Sequence, residues 1–320
     1  MDQSSENPLK PAEMSRRKVL GLLGGTALSV GMVMALPRKA EAKEKVLRQL
    51  PELGPRLSPE LEARARGATM LIKANYTDSP LNINRMGQYG IGPYGTAFHI
   101  NGDGTIITNR HVVAESGLGV GSVETMSTQE IVDRLRKKDY TPGVTGFIIG
   151  HPAFGEIPVE LEYVSADEGL DFAVLRYDTK KYTGNRGFAW LPVSGNIPQF
   201  GDTTHHYTYQ HDTLNLRGRY ELHTHRSIAL GKRGKDLIGV EGLDHVQGYP
   251  QLAGGGSGSP VLNSRGEVIS VAWSIYPYEY KREIDGIFAD FATTRPSAPV
   301  TIGLSVPIAA VVPGVGVEPT

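Results

Sequence analysis

Gly254-Gly255-Gly256-Ser257-Gly258-Ser259-Pro260-Val261-Leu262-Asn263 is the stretch whose reading decides the rest. Four glycines around one serine are costly in conformational entropy, and such runs mark positive φ angles or a backbone that must approach another group closely. A nucleophile loop needs both. Its serine reacts only when held exposed beside a base, with backbone N–H groups aimed at the oxyanion that forms on attack. A glycine-rich turn between two strands would read the same way, so the rest of the chain must discriminate.

The 320-residue chain is long enough for a large core. Its 33 Lys and Arg nearly cancel its 34 Asp and Glu, which leaves no basic field for nucleic acid and no acidic tail. With 39 Gly and 21 Pro, frequent Thr, Val and Tyr, and closely spaced turn signals, the composition favours short strands and an all-β fold. The absence of cysteine excludes a disulfide framework, a thiol nucleophile and any thiolate metal site.

Ser15-Arg16-Arg17-Lys18-Val19-Leu20 is followed by the mostly apolar 21–36 and by the small-x-small triplet Ala40-Glu41-Ala42. These features predict an export signal over 1–42, cleaved after Ala42, with only transient membrane contact. The paired arginines resemble a twin-arginine signal and imply export of a folded protein to the periplasm or the medium. Residues 43–67 read as a linker or pro-segment. Within it, Ser58-Pro59-Glu60-Leu61-Glu62 predicts a short helix to about Arg66, stopped by Gly67, with the first strand starting at Ala68.

Asn101-Gly102-Asp103-Gly104 separates two β-rich runs, a strong hairpin signal, and the second run leads into Thr108-Asn109-Arg110-His111-Val112-Val113. A histidine at a strand end is more often an ordinary surface residue than a base. However, Gly95-Thr96-Ala97-Phe98, the His111 stretch and Gly255-Gly256-Ser257-Gly258-Ser259-Pro260-Val261 together resemble the bacterial chymotrypsin-like serine proteases, especially their glutamyl endopeptidase and HtrA-type branches. The resemblance runs from about Ala68 to Ile308. It implies two six-stranded antiparallel β-barrels, one over 68–190 and one over 191–308; the residue patterns add the short N-terminal helix, one helical insertion and a tail over 309–320.

The resemblance also implies a carboxylate between His111 and Ser257, and Asp171-Phe172-Ala173-Val174-Leu175 supplies one at the head of an apolar run. Asp171 would orient His111 and stabilise its imidazolium. Asp167 and Asp178 open no such run and read as solvated loop charges. All nine histidines precede Ser257, which excludes the order of an α/β-hydrolase. The subtilisin order would need an acid before the histidine in motifs that are missing, so the order His, Asp, Ser is the one that fits. By resemblance, Gly255 and Ser257 N–H groups form the oxyanion hole, Ser259 is the alternative nucleophile, and no cofactor is needed.

Gln129 to Lys138 has helical spacing with charges on one side and reads as a solvated helical insertion. Gly201 to His225 holds five histidines, and His223-Thr224-His225 on a strand would place two imidazoles on one face. Without a third ligand the segment reads as ordinary polar strands, and no metal is expected.

Val268 to Ser274 reads as a strand that by resemblance lines the specificity pocket and pairs with bound peptide. Ala272, before Trp273, replaces the histidine of glutamyl endopeptidases, and Gln251 replaces the aspartate of trypsin-like enzymes. The pocket formed by Gln251, Ala272, Trp273 and Ser274 is therefore expected to be neutral. Gly256 stands where related enzymes carry Asp or Asn, so an N-terminal ion pair cannot organise the loop. The expected function is an exported serine endopeptidase acting on polypeptide. A catalytically inactive, peptide-binding relative is the alternative.

Overall fold

The computed structural model describes residues 53–76, 94–167, 169–183, 187–211, 220–233, 236–241, 255–276 and 301–311. The expected signal, Gln251 and the tail beyond 311 lie outside these residues.

The chain enters through helix α1, Pro59–Ala68, whose Ser58 hydroxyl accepts from the Leu61 N–H at 3.3 Å. Gly67 does not stop this helix. Its hydrogen faces Ala189, and a Cβ there would come within 3.0 Å of the Ala189 methyl, so close packing rather than termination explains the glycine. The first strand starts one residue later than expected, at Thr69, whose hydroxyl donates back to the Ala65 carbonyl at 2.8 Å.

β1 (Thr69–Tyr76), β2 (Tyr94–His99), β3 (Thr105–Thr108), β4 (Val144–His151), β5 (Gly155–Val164) and β6 (Ala173–Arg176) close an antiparallel barrel in the order β1-β2-β3-β6-β5-β4. The β2–β3 turn is built as its letters predict. The Asn101 side-chain carbonyl accepts from the N–H groups of Asp103 and Thr105, and Gly104 takes φ 80°. A second set hydrogen-bonds in the order β10-β11-β12-β9-β8-β7. It comprises β7 (Thr203–His211), β8 (Tyr220–Arg233), β9 (Asp236–Glu241), β10 (Pro260–Leu262), β11 (Val268–Tyr276) and β12 (Thr301–Pro307).

Strand alternation distributes the apolar residues between two cores. Ala97, Ile106, Ala173 and Leu175 point into the first barrel with Met70, Ile72, Phe147 and Ile149. Their neighbours Phe98, Ile107, Phe172 and Val174 face outward, yet are equally buried against Tyr207, Leu262, Val268 and Val306 of the second set. That second core also takes Leu57 and Ala65 from the stretch read as a linker or pro-segment, and Ala68 just beyond it. Gly54 is tied down too, its N–H donating to Thr203 Oγ1 and its carbonyl accepting from Arg226 Nη1, each at 2.6 Å.

Helical content exceeds the one insertion expected. β3 stops at Thr108, and α2 (Arg110–Leu118) follows, then α3 (Val120–Val123) and α4 (Thr128–Arg136). α4 is half-buried rather than solvated all round: Ile131, Val132 and Leu135 pack on the first core while the charges face out. Short helices α5 (Thr179–Thr183) and α6 (Ile308–Val311) follow β6 and β12.

Candidate active site

His111 is not the end of a strand but the second residue of α2, where Asn109 is the N-cap. The helix is anchored by Val112, Val113, Ala114 and Leu118, all in the first core, so His111 rides on a packed element. Asp171 arrives two residues before β6, whose buried apolar run fixes its height. The structure brings the two together. His111 Nδ1 donates to Asp171 Oδ2 at 2.5 Å, and the His111 backbone N–H donates to Oδ1 at 3.0 Å. The His111 side chain keeps 16% of its surface exposed and that of Asp171 only 2%, so the imidazole is reachable and the carboxylate is sealed behind it.

Two neighbours of His111 that the sequence reading left without a role complete this arrangement. Asn109 Nδ2 donates to the Asp171 carbonyl at 2.7 Å. Arg110 is buried, donates from Nη1 to the carbonyls of Ser165 and Asp167 at 2.8 Å, and places Nε 3.8 Å from Asp171 Oδ1. Burial pushes the Asp171 carboxyl up, but His111 and then Arg110 outweigh it and hold the group at about 2. It is therefore ionised at neutral pH. The signal for both residues was their adjacency to His111 in Asn109-Arg110-His111.

The rival acids have local roles. Asp167 Oδ1 accepts from the Gly169 N–H at 2.7 Å, and Asp178 Oδ1 from the Lys181 N–H at 3.3 Å at the start of α5.

The Ser257 loop takes the positive angles its glycines allow, φ 101° at Gly255 and 84° at Gly258. Gly258 is the more demanding position, since a Cβ there would lie 2.1 Å from the Thr96 carbonyl oxygen. The loop is stitched to β11: Gly258 N–H donates to the Ala272 carbonyl at 2.9 Å, and Ala272 N–H to the Ser259 carbonyl at 2.8 Å. Ser257 Oγ donates to the Trp273 carbonyl at 3.4 Å. The Ala272 methyl is buried beside Val261 and Ile269, so it is the Ala272 main chain that meets the loop. Ser274 pairs with Leu304 of β12 through the backbone.

Ser257 lies beside the His111 helix. Gly95 sits between the Val112 side chain and the Ser257 carbonyl, where a Cβ would stand 2.7 Å and 3.0 Å from them. Ser259 is fully buried and donates to the Gly256 carbonyl at 2.6 Å, so its hydroxyl braces the loop from behind.

The histidine-rich strand does place His223 and His225 on one face, their rings stacked 6.2 Å apart. Among the described residues, no group of three or more His, Asp or Glu is placed to hold a metal ion.

The family model of the trypsin-like peptidase domain matches residues 95–271, more than half of the chain, and the chain belongs to that family. Among solved structures it is similar to the serine endoprotease from Yersinia pestis, with 16% identity, TM-score 0.46, and coverage of 82% of this chain and 66% of that one. It thus spans slightly under two thirds of that protein. It is also similar to Deg5, with 16% identity, TM-score 0.45, and coverage of 79% and 90% respectively. No curated protein matches the chain.

Proposed function

We propose that this protein is an exported serine endopeptidase of the double-barrel, chymotrypsin-like type, with Ser257 as nucleophile, His111 as base and Asp171 as orienting acid. The observation that carries the reading is the doubly hydrogen-bonded His111–Asp171 pair, on a helix whose next residue, Val112, shares Gly95 as a close neighbour with the Ser257 carbonyl. With its Nδ1 hydrogen held by Asp171, the neutral imidazole has Nε2 as its acceptor.

In this mechanism Ser257 Oγ attacks the scissile carbonyl carbon as its proton passes to His111 Nε2. Asp171 stays ionised and stabilises the imidazolium, while the N–H groups of Gly255 and Ser257 receive the oxyanion. Collapse breaks the C–N bond and the amine leaves with the proton from His111. Water, deprotonated by the same imidazole, then hydrolyses the acyl-enzyme.

The residues read as lining the pocket, Gln251, Ala272, Trp273 and Ser274, carry no formal charge. A charged side chain desolvated there without a partner costs several kcal/mol, against about 1–3 kcal/mol separating neighbouring aliphatics. Cleavage after neutral, small to medium apolar residues is therefore expected, with Glu, Asp, Lys and Arg disfavoured, and a peptide library read by mass spectrometry tests it. Export is tested by Arg16→Lys with Arg17→Lys, which should retain the precursor inside the cell.

The decisive experiment for the chemistry is labelling with a fluorophosphonate, which reacts with an activated serine. The wild-type protein should be labelled and should digest casein. Ser257→Ala should do neither while unfolding at the same temperature. Residual wild-type turnover in Ser257→Ala would overturn the assignment.

A further inference from the structure

Thr96, on β2, is fully buried and spends each of its polar groups around the Ser257 loop. Its N–H donates to the Ser257 carbonyl at 2.9 Å. Its hydroxyl donates to the Gly255 carbonyl at 2.9 Å and accepts from the Tyr209 N–H of β7 at 2.9 Å. Its own carbonyl accepts from the Thr108 hydroxyl at 2.7 Å. A hydroxyl has one hydrogen, and an amide N–H can only donate. With Tyr209 as donor to Thr96 Oγ1, that single hydrogen is left for Gly255.

Three consecutive loop carbonyls are therefore held by named donors: Gly255 by the Thr96 hydroxyl, Gly256 by the Ser259 N–H and hydroxyl, and Ser257 by the Thr96 N–H. The loop needs such restraint. Glycine adopts positive and negative φ about equally readily, so the peptide planes around Gly255 and Gly256 have little intrinsic preference. A carbonyl turned toward the reacting oxygen would repel the developing oxyanion, whereas an N–H stabilises it.

We propose that Thr96 is a positioning residue for this reaction: its hydroxyl, fixed in polarity by Tyr209, holds the Gly255 carbonyl away from the oxyanion. A residue of the first barrel thereby sets the reactive geometry of a loop carried by the second strand set. The inference rests on the serine-protease reading above and deepens it.

The test compares Thr96→Val, Thr96→Ala and Thr96→Ser on N-acetyl-alanine p-nitrophenyl ester, with Ser257→Ala alongside. Displacement of a reacting group by about 1 Å costs on the order of 100-fold. Valine and alanine, which lack the hydroxyl, should each lower kcat roughly 10- to 100-fold while KM stays within about twofold. Serine, which keeps the hydroxyl, should restore most of kcat. Inhibition by an alanine boronate, which places a tetrahedral oxyanion in the site, should weaken in step with kcat/KM in the valine and alanine variants.

If Ser257→Ala keeps its turnover, the protease reading itself fails. If Ser257→Ala is inert, wild-type kcat in either hydroxyl-free variant overturns the role of Thr96. A uniform loss in all three variants, with no rescue by serine, or a loss confined to KM, overturns it equally. Should Thr96→Val not fold, the alanine and serine pair carries the same comparison.

Discussion

The carboxylate of Asp171 receives both the side-chain Nδ1–H and the backbone N–H of His111, one on each oxygen. Two bonds between one acid and one residue lock the imidazole in position as well as in tautomer. The carboxylate is buried, and its charge is held by His111 and Arg110.

Replacing Asp171 by Asn keeps the shape but offers His111 a donor amide and a single acceptor, favouring the wrong tautomer. Turnover should fall on the order of 10⁴-fold at neutral pH. Stability should also respond to acid. The folded carboxyl lies at about 2, below its ordinary 3.8, so its contribution is present above about pH 4 and lost as pH falls through about 2. Urea unfolding of wild type and Asp171→Asn between pH 5 and pH 2 measures it. Equal slopes would show that Asp171 carries no such linkage.

Ser259→Ala should leave a working enzyme. It removes the brace on the Gly256 carbonyl but no reacting group, so a stability loss of about 1 kcal/mol and at most a tenfold drop in kcat are expected. Loss of fluorophosphonate labelling in Ser259→Ala, with labelling retained in Ser257→Ala, would reverse the two assignments.

Gly258→Ala tests the contact between the loop and β2. The new methyl would meet the Thr96 carbonyl at 2.1 Å and Thr108 Oγ1 at 2.4 Å, at a φ of 84°. The loop must move, and labelling should drop at least 100-fold, since small misplacements at a reacting centre cost that much. An alanine variant labelled at the wild-type rate would show that the loop does not need this close approach.

Acid should also unfold the protein through two histidines of the first barrel. His99, fully buried 4.6 Å from the Phe188 ring, is held at about 3 by burial and then by the nearby His151. His151 is held at about 4 by burial, and its Nδ1 accepts from the Ala153 N–H, a bond that protonation would abolish. Both values lie below the ordinary 6.5 of histidine, so the unfolded chain takes up protons first. Stability should fall as pH drops below about 6.5, by up to about 1.4 kcal/mol per pH unit for each histidine, levelling off near pH 3. His99→Phe should flatten the dependence of the unfolding midpoint on pH between 6 and 4; an unchanged slope would remove His99 from this account.

Local pattern determined a great deal here. Asn101-Gly102-Asp103-Gly104 dictates its hairpin because only certain residues suit those backbone angles. Ser58-Pro59 dictates where α1 begins, and the run after Asp171 announces a buried strand. The resemblance of three short motifs pointed to His111, Asp171 and Ser257, chain order removed the α/β-hydrolase alternative, and the structure makes a pair of the first two.

Tertiary structure decided what chain neighbours cannot encode. Because Phe172 and Val174 enter one core while Ala173 and Leu175 enter another, both strand faces are apolar and periodicity says nothing about which is which. Gly67 looked like a helix stop because glycine ends many helices, yet it is needed to admit Ala189 from a distant segment. The strand-like valines after His111 belong to a helix, since their burial in the first core outweighs the β-preference of Val112 and Val113. Thr96 belongs to a recognisable motif, but nothing local marks its hydrogen-bonding role, since its hydroxyl partner Gly255 lies 159 residues away and Tyr209 lies 113 away. A hydrogen bond between residues so far apart in sequence leaves no periodicity, cap or turn signature, and only the folding of the two strand sets against each other brings its donor and acceptor together.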